Sequence, residues 1–272
     1  MDTLIRPLHG SLVTRILYSV RAPIIAFAGD RSCSHRPVRE PAPGARAILA
    51  VVNGNLSPLA MIFDVDGVLV HSMPLHMLAW EEYLANLGVK VDDLEARMHG
   101  KRNTELVRDL IAPDVAEDAA FEHGAAKERL FREMLLRDGI EKYRVPGLTE
   151  FLERHKNVPK AIGSNAEPKN IEFVLEQFAL RSYFAVAVNG LEVSRPKPFP
   201  DIYLEAARRL HTKPENCIVF EDSPTGVEAG RTAGMRVVAV ETTPTAFRGV
   251  NLQIKDFCDP QLEPWLAAQK AI

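Results

Sequence analysis

The apolar positions of this chain follow two rhythms. "LAMIFDV" (residues 59–65) is a short unbroken apolar run. It predicts a strand buried on both faces of a parallel sheet, since a half-exposed strand would alternate. "PLHMLAWEEYLANLG" switches to helical spacing through Leu75, Leu78, Tyr83 and Leu87, and stops at Gly88. Between about residues 89 and 142 the pattern is helix after helix, chiefly "TELVRDLI" and "EDAAFEHGAAKERLFREMLLRDG". From Pro146-Gly147 onward strand and helix alternate. "KAIGSN", "FAVAVNG", "CIVFEDS" and "RVVAVE" read as strands; "LTEFLERHK", "EPKNIEFVLEQFAL", "PDIYLEAARRL" and "GVEAGRTAG" read as helices. Such alternation predicts an α/β fold, a parallel sheet covered on both faces, with a helical insert after its first strand.

The first fifty residues keep neither rhythm. They hold seven arginines, no lysine and three acidic residues, although the whole chain is net −3. "RSCSHRPVREPAPGAR" has the composition of a loop. An arginine-rich, acid-poor leader is compatible with a targeting peptide, and "APIIAFAG" with a short signal-peptide core, but Arg21 splits that apolar stretch. The expectation is a leader over residues 1–56, disordered or foreign to the native chain, with a translation start near Val51 or Val52 as one origin for it. Across the chain, 46% apolar and 25% charged residues are ordinary for a soluble globular protein, and the small net charge gives no reason to expect nucleic acid. No run of eighteen apolar residues exists, so no membrane span is expected. Cys33, Cys217 and Cys258 form neither a metal-ligand spacing nor a disulfide framework, which points to a reducing cytosol.

Open parallel sheets bind ligands beyond the carboxyl ends of their strands, so the polar residues that end the apolar runs are the candidates for chemistry. The first run ends in Asp64 and Asp66, "KAIGSN" in Ser164 and Asn165, and "CIVFEDS" in Glu221, Asp222 and Ser223. Lys197 sits between two prolines in "SRPKPFPD". A single carboxylate at a strand end has a plain explanation, because strands stop where loops begin. Four in one crevice would repel one another unless a cation or a lysine compensates. Carboxylate oxygens are hard ligands that suit Mg²⁺, and the set makes sense as a phosphoryl-transfer site. One carboxylate attacks phosphorus, Mg²⁺ and Lys197 neutralise charge, and a second carboxylate moves the proton.

"DVDGVLVHS", "IGSNA", "SRPKP" and "FEDSPTGVEAG", in this order, resemble the four signature motifs of the haloacid dehalogenase superfamily, over roughly residues 58–272. The helical insert after the first motif is similar to the small α-helical cap of the subfamily that includes β-phosphoglucomutase and sugar-phosphate phosphatases. The resemblance implies a Rossmann-like α/β core over 57–73 and 143–272, with an α-helical cap domain over 74–142. It further implies that Asp64 is a nucleophile forming an aspartyl-phosphate and that Asp66 is the general acid/base. Asp64, the backbone carbonyl of Asp66, and Asp222 would hold Mg²⁺, with Glu221 beside them. Ser164 and Lys197 would bind the phosphoryl group, assisted by Asn165, and Gly67 would turn the chain so that backbone N–H groups face the phosphate. Dehalogenases of the superfamily lack the second aspartate, so Asp66 points to phosphate chemistry.

His76, ten residues after Asp66, resembles a histidine that hydrogen-bonds the acid/base in the β-phosphoglucomutase-like group. Read alone, it is an ordinary half-exposed helix residue. "MHGKRNTEL" resembles the cap's substrate-specificity loop, making His99, Gly100, Lys101, Arg102 and Asn103 candidates for substrate contact, with Lys127 on a later cap helix. The mutase carries a lysine before this glycine and an arginine three after it, the latter gripping a distal phosphate; here His99 and Asn103 stand instead. The expected activity is therefore that of a Mg²⁺-dependent phosphatase acting on a small phosphorylated metabolite such as a sugar phosphate. β-Phosphoglucomutase is the alternative. A cytoplasmic monomer or small homo-oligomer is expected, with no nucleic-acid or membrane partner.

Overall fold

The computed structural model describes residues 59–98, 101–242 and 245–269. The leader expected over 1–56 lies outside the described residues. Strands β1 (Ala60–Phe63), β2 (Lys160–Ser164), β3 (Val186–Asn189), β4 (Cys217–Glu221), β5 (Arg236–Val240) and β6 (Leu252–Ile254) form one six-stranded sheet. Their order is β3-β2-β1-β4-β5-β6, and every pairing is parallel. The chain thus builds outward from β1 to β3, then returns to lay β4 on the other side of β1. Helices α1 (Met73–Asn86), α2 (Leu94–Met98), α3 (Asn103–Leu110), α4 (Glu117–Asp138) and α5 (Leu148–Arg154) lie between β1 and β2. Later come α6 (Pro168–Gln177), α7 (Asp201–Arg209), α8 (Pro224–Thr232) and α9 (Leu262–Gln269).

Successive side chains of a strand point to opposite faces, and β1 uses both. Met61 and Phe63 enter one apolar cluster, with Phe151 of α5, Leu175 of α6 and Leu266 of α9. Ala60 and Ile62 enter another, with Ala206 of α7 and Val227 of α8. An unbroken apolar run is what a strand covered on both sides requires, which is why β1 was legible. The Phe63 ring stacks on Phe220 of the neighbouring strand at 4.6 Å, and Phe151 and Phe184 meet Phe63 edge-on. Such aromatic pairs add roughly 0.5–1.5 kcal/mol each beyond area burial.

Helices α1–α4 hold a third cluster of their own, including Trp80, Leu84, Leu106, Val107 and Ala120. Other apolar residues of these helices, among them Leu75, Phe131 and Leu135, join the first cluster of the sheet. α1 starts with a proline in its first turn, and the chain leaves it through Gly88 at φ +72°. α4 stops at Gly139, φ +85°, a conformation that favours glycine. Two elements lie outside the sequence expectation. β6 is three residues long with Gln253 exposed in its middle, so it offers no apolar run. Its position comes from pairing with β5 and from the Asn251 side chain, which accepts a hydrogen bond from Val237 N–H at 2.8 Å. α9 buries only Leu262 and Leu266.

Candidate active site

The carboxyl ends of β1 and β4 lie side by side where the strand order reverses, the position at which open α/β sheets form a crevice. Asp64 extends β1 by one main-chain bond, its N–H donating to Phe220 O at 3.1 Å. Asp64, Glu221 and Asp222 are all buried, and each offers a carboxylate oxygen within 4.8 Å of the others. Lys197 Nζ lies 3.0 Å from Asp64 Oδ1 and 2.6 Å from Glu221 Oε1. The bond to Glu221 is aligned as a hydrogen bond, whereas Asp64 Oδ1 is buried and ion-paired without an aligned donor. Ser164, buried at the end of β2, favours the charged form of the Asp64 carboxylate, and its Oγ accepts from Ala166 N–H at 3.2 Å. Burial pushes the Asp64 carboxyl up to about 6; Glu221 and Asp66 add to the rise, and Lys197 and Ser164 oppose it.

Glu221 is wholly buried, and every lone pair it has is in use. Oε1 accepts from Lys197 Nζ and from Tyr203 OH at 2.8 Å. Oε2 accepts from the N–H groups of Asp222 and Ser223, both at 2.8 Å, and from Ser223 Oγ at 3.0 Å. Burial alone would raise this carboxyl; Lys197 and the other donors outweigh it and hold Glu221 below the ordinary range. Asp222 goes the other way. Burial and the charges of Glu221, Asp64 and Asp66 push it well above that range. Glycines make room for both groups. A Cβ on Gly226 would fall 1.6 Å from Glu221 Oε1, and one on Gly67 would fall 1.8 Å from Asp222 Oδ2. Gly67, at φ +71°, makes the turn expected of it, its N–H donating to Val70 O at 2.8 Å.

Asp66 stands apart from this cluster. Its Oδ1 accepts from Ser72 Oγ at 2.6 Å and lies 3.3 Å from His76 Nε2. Lys127 Nζ is 2.8 Å from His76 Nδ1. An ammonium can only donate, so Nδ1 accepts and Nε2 carries the proton toward Asp66. Burial would raise the Asp66 carboxyl, but His76 and Ser72 hold it below the usual range. Behind His76, Glu128 of α4 accepts from Lys127 Nζ at 2.9 Å, Asn103 Nδ2 at 2.7 Å and Asn170 Nδ2 of α6 at 2.7 Å. Asn103 Nδ2 also reaches Glu167 Oε1 at 3.4 Å. Burial and the charge of Glu128 raise the Glu167 carboxyl.

Of the residues singled out in the sequence, Asp64, Asp66, Ser164, Lys197, Glu221, Asp222 and His76 come together here. Asn165 lies against Lys197. Its Oδ1 accepts from Lys197 N–H at 3.2 Å and its Nδ2 donates to Lys197 O at 3.4 Å, so it braces the lysine's main chain. Lys101 and Arg102 are engaged in exposed ion pairs within the helical segment, with Asp109 at 2.8 Å and Glu105 at 3.1 Å, and are not directed at the carboxylates. Asn103 is the loop residue that reaches across, to Glu167. His99 and Gly100 lie outside the described residues. Ser72, Tyr203, Glu128, Glu167, Asn170 and Thr242 were not singled out in the sequence. Thr242 Oγ1 donates to Gly67 O at 2.6 Å and lies 3.4 Å from Asp222 Oδ2. Only Ser72 carried a signal, being a hydroxyl at the start of the first helix after the paired aspartates.

The description of haloacid dehalogenase-like hydrolases matches residues 59–234. The chain is 32% identical over 181 residues to the fructose-1-phosphate phosphatase of Escherichia coli (strain K12), which covers 66% of this chain and 95% of that protein. It is 28% identical over 210 residues to beta-phosphoglucomutase of Bacillus subtilis (strain 168), covering 75% of this chain and 92% of that protein. Among solved structures, a mutant of CbbY from Rhodobacter sphaeroides in complex with xylulose-(1,5)bisphosphate has a TM-score of 0.65 at 27% identity, over 74% of this chain and 95% of that one. No helix among the described residues is long and apolar enough to cross a membrane.

Proposed function

The chain belongs to the haloacid dehalogenase-like hydrolases, and from that premise we propose that it is a Mg²⁺-dependent phosphatase of small phosphorylated metabolites, sugar phosphates above all, acting in the cytoplasm. The observation that carries the reading is the division between two aspartates one residue apart. Asp64 is held against Lys197, while Asp66 is turned to Ser72 and His76. In the proposed reaction an Asp64 carboxylate oxygen attacks phosphorus, and the ester oxygen leaves with a proton from Asp66. Asp66 then takes a proton from the water that attacks the aspartyl-phosphate, and Asp64 is regenerated. Lys197 and Ser164 face the transferring phosphoryl oxygens. Helices α1–α4, residues 74–142, act as the cap that excludes bulk water from the core formed by 57–73 and 143–272.

The donor set fits a divalent cation. Three carboxylates, Asp64, Glu221 and Asp222, gather around one lysine, Lys197, and Asp64 Oδ1 is buried without an aligned donor. Asp64, Asp222 and the main-chain carbonyl of Asp66 would hold Mg²⁺, with Glu221 beside them, engaged by its own donors. When bound, the ion offsets the charge of the carboxylates and of the phosphoryl group. A mutase reading draws on the relative from Bacillus subtilis, but a mutase must grip a second phosphate, and Lys101 and Arg102 are paired with Asp109 and Glu105. The test is free-phosphate release from a panel of phosphorylated metabolites with Mg²⁺. Wild type is expected to release phosphate and Asp64→Asn to lose at least about a thousandfold in kcat. Full activity in Asp64→Asn, or isomerisation of β-glucose 1-phosphate without release, would overturn the reading.

A further inference from the structure

We infer that Glu167, backed by Glu128, makes the leaving-group side of the crevice anionic, so that the enzyme takes phosphomonoesters of neutral polyhydroxy compounds and rejects those whose leaving group carries a second anion. This rests on the phosphatase reading and adds to it the residue that sets specificity. A proton from Asp66 has to reach the leaving oxygen, so the leaving group lies on the side of the Asp66 carboxylate. From that carboxylate a line of contacts runs to His76 at 3.3 Å, on to Glu128 at 3.7 Å, then to Asn103 at 2.7 Å and Glu167 at 3.4 Å. Glu167 also follows Ser164, the residue against Asp64, by three positions, at the start of α6. It is approached from the sheet side and from the helical segment at once, and it is only partly buried.

The nearby cations are committed elsewhere. Lys197 pairs with Asp64 and Glu221. Lys127, 2% exposed, bonds His76 and Glu128. Arg132 bonds Asn170 Oδ1 and, like Lys127, acts on Glu167 through its charge without bonding it; with Lys169 it lines a groove that includes Glu172 and Glu176 but neither Asp66 nor Glu167. Lys101 and Arg102 pair with Asp109 and Glu105. Asn103, which reaches both carboxylates, is neutral. A second phosphate or carboxylate on the leaving group would therefore meet the like charge of Glu167 and Glu128, while Lys197, Lys127, Lys101 and Arg102 are already paired. Hydroxyl groups are donors, and a carboxylate is an acceptor with several lone pairs. The side chain that repels an anion is thus the one that holds a polyol.

The experiment uses the whole chain with Mg²⁺ and follows p-nitrophenyl phosphate hydrolysis. Fructose 1-phosphate and fructose 1,6-bisphosphate serve as competitors, each giving an inhibition constant whether or not it is turned over. The bisphosphate is expected to bind at least tenfold more weakly than the monophosphate in wild type. Glu167→Gln should narrow that ratio severalfold, and Glu167→Lys should close or reverse it, with circular dichroism verifying the fold of each variant. Equal inhibition constants in wild type, or a ratio unmoved in both variants, would overturn the assignment of Glu167 while leaving the phosphatase reading intact. Absence of any p-nitrophenyl phosphate turnover in wild type would overturn the phosphatase reading, and this one with it.

Discussion

Glu221 illustrates how a wholly buried carboxylate is kept charged by its neighbours. Lys197, Tyr203, Ser223 and two main-chain N–H groups all donate to it, so that its position fixes where Lys197 points. Tyr203→Phe removes one donor and leaves the ring in place. A hydrogen bond to a charged group contributes roughly 1.5–3 kcal/mol, so a loss of about 2 kcal/mol in urea unfolding is expected, with a smaller kcat from a looser lysine. Gly226→Ala is a different insult. The new Cβ would fall 1.6 Å from Glu221 Oε1, and it sits on the first turn of α8, which cannot retreat without moving the loop that carries Asp222. The expected cost is above about 3 kcal/mol. A Gly226→Ala protein more stable than Tyr203→Phe by the same urea assay would show that Glu221 is not held as described.

At the level of elements, α4 connects to α3 and α6 through one side chain. Glu128 binds Lys127, Asn103 and Asn170. Burial would raise its carboxyl, but the charge of Lys127 and its hydrogen bonds outweigh burial and lower it to about 2. The folded-state value is depressed, so this stabilisation is complete above the unfolded value of about 4.5 and is lost as pH falls toward about 2. Glu128→Gln is expected to cost about 3 kcal/mol at pH 7, and the gap to wild type should shrink by about half near pH 3. A gap in urea stability that stays constant with pH would mean that the Glu128 charge does not hold these helices. What the sequence revealed at this level follows from the range of the forces involved. β1 and β4 were legible because burial on both faces demands an unbroken apolar run. β6 was not, because Gln253 interrupts its three residues and its place is set by β5. Likewise Asp64, Asp66, Lys197 and Asp222 were legible from local motifs, but Glu128 and Thr242 act through distant partners. Thr242 meets Gly67 across 175 positions, and no local pattern announces such a contact.

For the molecule as a whole, the topology itself creates the charge problem that the site answers. Laying β2 and β3 on one side of β1 and β4 on the other brings the ends of β1 and β4 together, and with them Asp64 and Asp222. Apolar residues from both layers press against these strands, so the carboxylates are desolvated by the same packing that makes the fold stable. Without a cation the cost appears as raised carboxyls on Asp64 and Asp222, and for Asp222 the repulsion comes from Glu221, Asp64 and Asp66 as well as from burial. Asp222 is thus expected to cost the metal-free fold stability. A ligand that binds only the folded state stabilises it by about 2.7 kcal/mol when present at a hundredfold excess over its Kd, which for a chain of this size raises Tm by roughly 5–10 °C. Mg²⁺ is therefore expected to raise the Tm of wild type by that amount over EDTA. Asp222→Asn should behave in the opposite sense on both counts: a higher Tm than wild type in EDTA, because a repelling charge is gone, and little further gain from Mg²⁺. Differential scanning calorimetry of the two proteins with and without Mg²⁺ reads both effects. A wild type indifferent to Mg²⁺, or an Asp222→Asn variant with the full response, would mean that these carboxylates balance one another by some means other than a shared cation.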